Sequence, residues 1–462
     1  MMDRRNFLKV TAAGAAGMAF ATDSFGKGSR EDVFIPEDEG KFVPLQGTVN
    51  VSGTPGGVSD NVGLHVKVEG YVKEPSHRVP VVAEVDVVVV GGGPAGVSAA
   101  VCAARQGASV ILVEKANFLG GLWSGGLVLP VLATHGKGKV KSWDKASGGF
   151  CAEICDELLG MGMAVNPLNP NCDPEATKYV LDKAIHDSGV RILYNATAAG
   201  VIMSGDRVEA LLLDCNTGRL AIRCRAAVDA SGDGCLFNWT GDPHEERLYH
   251  INTSYRVGNA VNNKFGSITP IANVKFRTIG DRELRDGLDI FSVSGLQQEH
   301  RLGIWERITQ QKEELNEKDA FLLDTAPVTG VRITRILDSI HIVTLEESME
   351  WTRFDDVIGM AGACDPFTYK GKYISNKERP VWQIPYRALI PKKTKNILAC
   401  GRCFGFDEGI TWDAREISTC MVTGQAAGTA AAMAVTGRCA MKDLDIRRLQ
   451  SSLKKQNVRL NF

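Results

Sequence analysis

The run EVDVVVVGGGPAGVSAAVCAARQGASVILVE, residues 84 to 114, constrains the fold more than any other part of the chain. Val85 to Val90 is apolar apart from Asp86, and Val87 to Val90 is a continuous apolar run, the pattern of a parallel strand buried on both faces rather than of an alternating surface strand. It runs directly into glycine. Gly91 permits a tight turn, Gly93 lets a pyrophosphate approach the backbone, and Gly96 lets the next helix pack close to the strand. The spacing predicts a helix from Pro94 to Gln106, with Ala95 in its first turn, whose N-terminal amides and positive dipole end face the phosphates. Gly107 stops that helix before a second strand, Ala108 to Val113. Glu114, about 20 positions beyond the glycines and followed by Lys115, is placed to accept hydrogen bonds from an adenosine ribose. A lone GxGxxG is weak. Strand, glycines, helix, strand and acid in this order indicate a βαβ unit that grips an ADP moiety.

At 462 residues the chain can bury a large core, in about two or three domains or in one elaborated α/β domain with insertions. Its formal net charge of −1 makes no global electrostatic case for nucleic acid or an anionic membrane, and neither is expected as a partner. Asp3, Arg4, Arg5, Asn6, Phe7, Leu8 and Lys9 precede a weakly apolar run from Val10 to Ala21. That block has the appearance of a twin-arginine export signal. Its apolar part is Ala/Gly-rich and shorter than the roughly 20 residues of a membrane-spanning helix. A signal segment over residues 1–27, periplasmic or otherwise exported location, the twin-arginine machinery as a partner and no stable membrane span in the mature protein are therefore expected.

Twelve cysteines in an exported protein would ordinarily suggest disulfides. Several, such as Cys102, fall inside predicted regular elements, where a thiol behaves as a small buried hydrophobe. Cys400 and Cys403 form a CxxC without a following histidine, and Cys151 and Cys155 a CxxxC. Neither pair has the second half of a zinc site, so no metal is expected. For Cys400 and Cys403 a redox dithiol and simple strand-end packing both remain open.

Residues 28–80 read as a linker and small β extension, with alternating stretches near Phe42 to Val51 and Leu64 to Val72. Gly120 to Gly126, including Gly121, is a glycine-rich loop whose bare backbone could lie against a flat ring system. A helix is expected over residues 174–189, then short strands at Arg191 to Asn195, Ala198 to Ser204, Arg207 to Cys215 and Leu220 to Arg225. Val228 to Gly234, VDASGDG, reads as a strand ending in a tight turn. Residues 240–380 mix strands with a charged helical stretch, Gln297 to Lys318. Beyond Trp382 come a strand at Asn396 to Cys400, a loop at Gly401 to Asp413, and a helix of small residues from Arg415 to Val435.

The fingerprint, the VDASGDG turn, and the run from Gly401 and Arg402 through TGQAAG (Thr423 to Gly428), in that order, resemble the FAD-dependent oxidoreductase family, a glutathione-reductase-like group related to fumarate-reductase-type flavoproteins. The resemblance covers roughly residues 80 to 440. It implies an α/β fold: a doubly wound, Rossmann-like FAD-binding domain, discontinuous in sequence (81–239 and 381–462), with an inserted α+β substrate domain (240–380). Gly91, Gly93, Gly96 and Glu114 match the ADP-binding positions and Asp233 the acidic position after the second flavin-contacting turn. Gly424, Gln425 and Ala426 match the helix start that faces the flavin; Gly424 and Gly428 could instead serve close helix packing. Ile333 and Thr334 stand where the family carries Glu and Ser. Folding before twin-arginine transport would let FAD be loaded in the cytoplasm.

A flavin exchanges a hydride at N5 with a C–H bond or an activated alkene, so the protein must supply orientation, an acid or base, and anion or hydroxyl recognition. Arg332, Arg335, Arg387 and Arg402 could bind carboxylate through a bidentate fork, or serve in structural ion pairs. His135 and His341 are candidate bases. Asp407, Glu408 and Asp413 precede the flavin helix, and Trp123 and Trp412 could stack on a ring or fill space. The leading expectation is oxidation of a small hydroxylated or cyclic organic substrate. Alternatives are an enoate reductase of the fumarate type and a flavin-bearing binding protein without turnover. No CxxCH haem site occurs in the sequence, so a separate electron donor or acceptor is expected.

Overall fold

The apolar run before the glycines becomes a ten-residue strand, β1 (Val81–Val90), buried at its C-terminal end. In this computed structural model the described residues are 49–52, 65–70, 72, 75–138, 144–280, 283–364, 366–375 and 377–462. The signal segment 1–27 and most of the 28–80 extension lie outside them. Gly91 turns the chain with φ +98°, and a Cβ there would lie 2.5 Å from the Ala230 carbonyl oxygen. Helix α1 (Pro94–Arg105) follows, with Pro94 in its first turn. Strand β2 (Val110–Val113) is fully buried.

Helix α2 (Pro174–Asp187) begins where Asp173 accepts hydrogen bonds from the amides of Glu175 and Ala176. Strands β3 (Arg191–Leu193), β4 (Thr197–Ser204), β5 (Arg207–Cys215) and β6 (Gly218–Asp229) come next. β6 is longer than the Leu220 to Arg225 expected, because the strand continues unbroken into the VDASGDG turn. β3, β2, β1 and β6 pair in parallel in that order, while β4, β5 and β6 form an antiparallel meander at the other edge.

The chain then leaves this sheet. β7 (Ile251–Gly258) is the centre of an antiparallel sheet, flanked by β8 (Lys275–Gly280) on one side and by β9 (Phe321–Thr325) and β10 (Gly330–Val331). Between β8 and β9 runs α3 (Ile290–Glu314), which starts earlier than Gln297 because Asp289 caps the amides of Phe291 and Ser292. Its inner face packs Ile304 and Ile308 on Tyr255, Val257 and Phe265, a core of its own. A three-stranded antiparallel sheet joins Val49–Ser52, Pro243–Glu246 and Arg335–Leu337. The described parts of the Leu64 to Val72 stretch form no strand.

The return is made by β11 (Ile397–Ala399), parallel to the end of β6, and by α4 (Ile417–Gly437). α4 lies directly on α1: a Cβ at Gly424 would be 2.1 Å from the Ala95 carbonyl oxygen, and one at Gly428 1.9 Å from that of Ala99. These glycines are there for backbone contact. The architecture is α/β: a parallel, Rossmann-type sheet built from two separated stretches of chain, with an α+β insertion.

All twelve cysteines are free thiols. Cys400 and Cys403 are fully buried, and burial raises both well above the ordinary thiol range. Their burial disfavours the thiolate and suits strand-end packing. No described helix is long and apolar enough to cross a membrane.

Candidate active site

β1, β2 and β6 are parallel, so their carboxyl ends finish at one edge, where a ligand site of a doubly wound sheet belongs. A cavity of about 560 Å³ opens there. Gly91, Gly93, Pro94, Ala95, Glu114 and Lys115 form one wall. A Cβ at Gly93 would meet no protein atom within 4 Å. Gly93 also supplies no side-chain cap to α1, which leaves the first-turn amides to a ligand. The Glu114 carboxylate accepts hydrogen bonds from the Gly92 amide at 2.6 Å and the Ala116 amide at 2.7 Å. Each oxygen keeps a second acceptor position for a ribose hydroxyl. Gly96 lies behind the turn, its α-carbon so close to Gly91 that a Cβ would overlap the Gly91 carbonyl oxygen.

The VDASGDG turn forms the adjoining wall. Asp229, fully buried, accepts from the Ser231 hydroxyl at 2.6 Å and the Leu236 amide at 2.7 Å, which folds the turn around its carboxylate. Burial pushes that carboxyl above its ordinary value. Asp233, four residues on, takes a 2.6 Å ion pair from Arg402 and a 3.0 Å hydrogen bond from the Thr334 hydroxyl. Burial would raise Asp233, but the charges of Arg402 and Lys115 prevail and hold it below the ordinary carboxylate value. Thr334, which departs from the family serine, keeps the hydroxyl. Arg402 passes so close to Gly232 that a Cβ there would lie 2.6 Å from its Nε, and its Nη1 is buried without a hydrogen-bond partner among the described residues.

The remaining lining comes from the loop beside the glycine turn, the inserted sheet and the start of α4. Phe118, Leu122 and Trp123 belong to it with Val331, Arg332, Arg415, Glu416 and Cys420. Arg332 donates to Asn252 Oδ1 of β7 at 2.7 and 3.2 Å. Burial, and then the like charge of Arg415, lower it to about 10. The Arg415 guanidinium sits 4.5 Å from the ring centre of Trp412 and 5.5 Å from that of Tyr249. Tyr249, Asn252, Arg415 and Glu416 did not emerge from the sequence; an arginine just before a helix N-terminus, where the dipole opposes a cation, was the one available signal.

Several expected site residues lie elsewhere. Arg335 pairs with Glu246 at 2.9 Å and donates to the Asp233 carbonyl, outside the cavity lining. His341 contacts Glu347 at 3.1 Å and packs edge-on to Phe354. Arg387 forms a bidentate pair with Asp356 on a half-exposed side chain. His135 lies in the strand His135–Gly136, its Nδ1 2.8 Å from the Thr134 hydroxyl. None of His341, Arg387 and His135 lines the cavity. Gly401 ties β11 to α4 through its amide and the Thr423 hydroxyl. Gly424, Gln425 and Ala426 are buried in the body of α4, beyond its first turn; the helix starts at Ile417, and the TGQAAG segment packs outside the cavity lining. Gln425 accepts from the Phe150 amide. Asp413 is ion-paired with Arg379, and Asp407 caps the turn at Ile410.

The open backbone at Gly93, the uncapped helix start, the Glu114 acceptors and the orphaned Arg402 Nη1 together fit the adenosine diphosphate part of a dinucleotide. Among the described residues no group of three or more His, Cys, Asp or Glu could hold a metal ion. Fold and site thus define a dinucleotide-binding oxidoreductase of the Rossmann type, with FAD as its cofactor.

The FAD dependent oxidoreductase family matches residues 86–248 and 245–453, and the chain belongs to that family. Residues 1–21 match the twin-arginine translocation signal sequence, and export follows that pathway. Thiamine thiazole synthase of Methanothermobacter thermautotrophicus is 27% identical over 181 residues, 36% of this chain and 62% of that enzyme. A tRNA uridine 5-carboxymethylaminomethyl modification enzyme of Chlamydia caviae is 35% identical over 130 residues, 28% of this chain and 20% of that enzyme. The chain thus spans less than two thirds of the length of these curated relatives. A geranylgeranyl bacteriochlorophyll reductase-like protein of Thermoplasma acidophilum superimposes with a TM-score of 0.45 at 14% identity, over 82% of this chain and 85% of that one.

Proposed function

We propose that this exported enzyme oxidises a small hydroxylated or cyclic organic molecule, with FAD held by Gly91, Gly93, Pro94, Ala95, Glu114, Lys115, Gly121, Asp233 and Arg402. Bound FAD supplies a two-electron acceptor for a hydride. One observation carries the reading: the glycine turn and the inserted sheet line the same cavity, so a substrate held by the second wall is next to the cofactor held by the first. Phe118, Leu122 and Trp123 would limit water at that junction. Glu416, a buried carboxylate on the cavity wall, would take the hydroxyl proton as hydride leaves carbon. Electrons would pass on to a separate carrier.

The test is anaerobic titration of the purified yellow protein with a panel of alcohols, hydroxy acids and cyclic polyols. Bleaching of oxidised flavin by a panel member is expected. If no member bleaches it, while unsaturated acids reoxidise the pre-reduced protein, the oxidation is wrong. That outcome would favour the enoate-reductase reading, which draws support from Arg332 and Arg415 in the cavity.

A further inference from the structure

Among the described residues, the cationic groups of the cavity outnumber the carboxylates that line it. Lys115, Arg332, Arg402 and Arg415 line it against Glu114, Asp233 and Glu416. Glu114 is engaged by two backbone amides and Asp233 by Arg402 at 2.6 Å. Arg415 has Glu416 at 4.0 Å, and burial is outweighed by Tyr249 and Glu416, which favour its charge, yet its Nε is buried on a side chain 8% exposed without a hydrogen-bond partner among the described residues. Arg332 has a neutral hydrogen-bond acceptor, Asn252 Oδ1, on the central strand of the inserted sheet. Burial and the neighbouring guanidinium both work against its charge. Two arginines facing one cavity are a costly arrangement unless an anion joins them. The Trp412 and Tyr249 rings flank Arg415 and restrict its guanidinium, so little side-chain freedom is left to lose on binding.

We propose that Arg332 and Arg415 form an anion clamp for a carboxylate group of the substrate. The planar fork of each guanidinium matches a carboxylate, and both line the same cavity. The substrate class thereby narrows to small organic acids that carry the oxidised C–H bond elsewhere in the molecule. The inference rests on the proposed function for the identity of the site, and it predicts binding rather than turnover. The diphosphate of FAD offers the same anionic chemistry, so the experiment must separate the two sources.

Oxidised holoprotein is titrated with benzoate and with benzamide at constant ionic strength, and the visible flavin spectrum reports binding. Benzoate should bind at least about tenfold more tightly than the isosteric amide, as expected for a charge-assisted pair. Arg332→Gln should keep the wild-type flavin-to-protein ratio and lose that preference. Asn252→Asp, which leaves Arg332 in place but hands it an internal carboxylate, should lose the preference as well. Equal binding of the two probes, or no spectral change with either up to the solubility limit, overturns the clamp. A folded Arg332→Gln protein that has lost its flavin overturns it too, because the arginine would then serve the cofactor phosphates. If Arg332→Gln does not fold, Asn252→Asp decides. Discrimination without any substrate bleaching the flavin would leave the clamp standing and remove the oxidation; bleaching without discrimination would remove the clamp alone.

Discussion

Arg402 and Asp233 are brought together from positions 169 residues apart, and Arg402 is the largest single charge acting on Asp233. Arg402→Ala leaves the Asp233 carboxylate with the Thr334 hydroxyl and the more distant Lys115 charge and should cost about 2 kcal/mol, together with a lower flavin-to-protein ratio. Thermal melting and absorbance of the purified variant check both. The Asp233 carboxyl is held below its ordinary value, so its contribution is present above that value and is lost as pH falls; the Arg402→Ala penalty should shrink in acid. Glu416→Gln should retain flavin yet slow its anaerobic reduction by substrate about a hundredfold or more, the usual worth of a general base; an unchanged rate would remove Glu416 from that role. At this scale the sequence was legible where chemistry is local. Glu114 meets Gly92 across 22 residues of one βαβ unit. Arg332 meets Asn252 across 80, and no spacing rule reaches that far. For the same reason Arg387 and His341, suggestive by residue type, turned out to be satisfied by Asp356 and Glu347.

Glycines with similar sequence surroundings do different work in different elements. GGGPAG and TGQAAG share a spacing of small residues, yet Gly93 opens on the cavity while Gly424 and Gly428 touch the backbone of α1. Gly93→Ala adds a methyl that meets no protein atom within 4 Å, at a residue whose φ of −71° suits alanine. Stability should therefore change by less than about 1 kcal/mol while flavin content falls sharply, because the methyl enters the space for the pyrophosphate. Gly428→Val places its Cβ against the Ala99 carbonyl oxygen, and backbone cannot swing aside as a side chain can. Loss of about 3 kcal/mol or more, or failure to fold, is expected. Urea unfolding of the two variants separates the roles. The sequence placed the core elements to within a few residues because strand and helix periods are local. It placed a helix start at TGQAAG because helix packing and cofactor contact both ask for small residues, and the helix begins earlier, at Ile417.

On the scale of the whole molecule, His65 joins three otherwise separate segments. Its Nδ1 is 2.7 Å from Asp286, just before α3, and its Nε2 is 3.2 Å from Glu246, in the sheet that also holds Arg335. Hydrogen bonding to Asp286 and then to Glu246 raises His65 to about 9. A histidine raised in the folded state stabilises fully below its unfolded value near 6.5, and that stabilisation is lost as pH rises through about 9. Glu246 and Asp286 have the opposite sign. Burial would raise both carboxyls, but His244 and His65 hold Glu246 low and His65 holds Asp286 low. Their contribution is present above the ordinary carboxylate range and is lost as pH falls through it. Stability should therefore form a plateau at intermediate pH with an alkaline fall centred between 6.5 and about 9. His65→Gln removes the titrating group, so the difference in melting temperature from wild type should be large at pH 6 and vanish near pH 10, a swing on the order of 2 kcal/mol after allowance for solvent screening. Parallel melting curves for the two proteins across that range would mean that His65 carries no charge-dependent link between the segment before β1, the inserted sheet and α3.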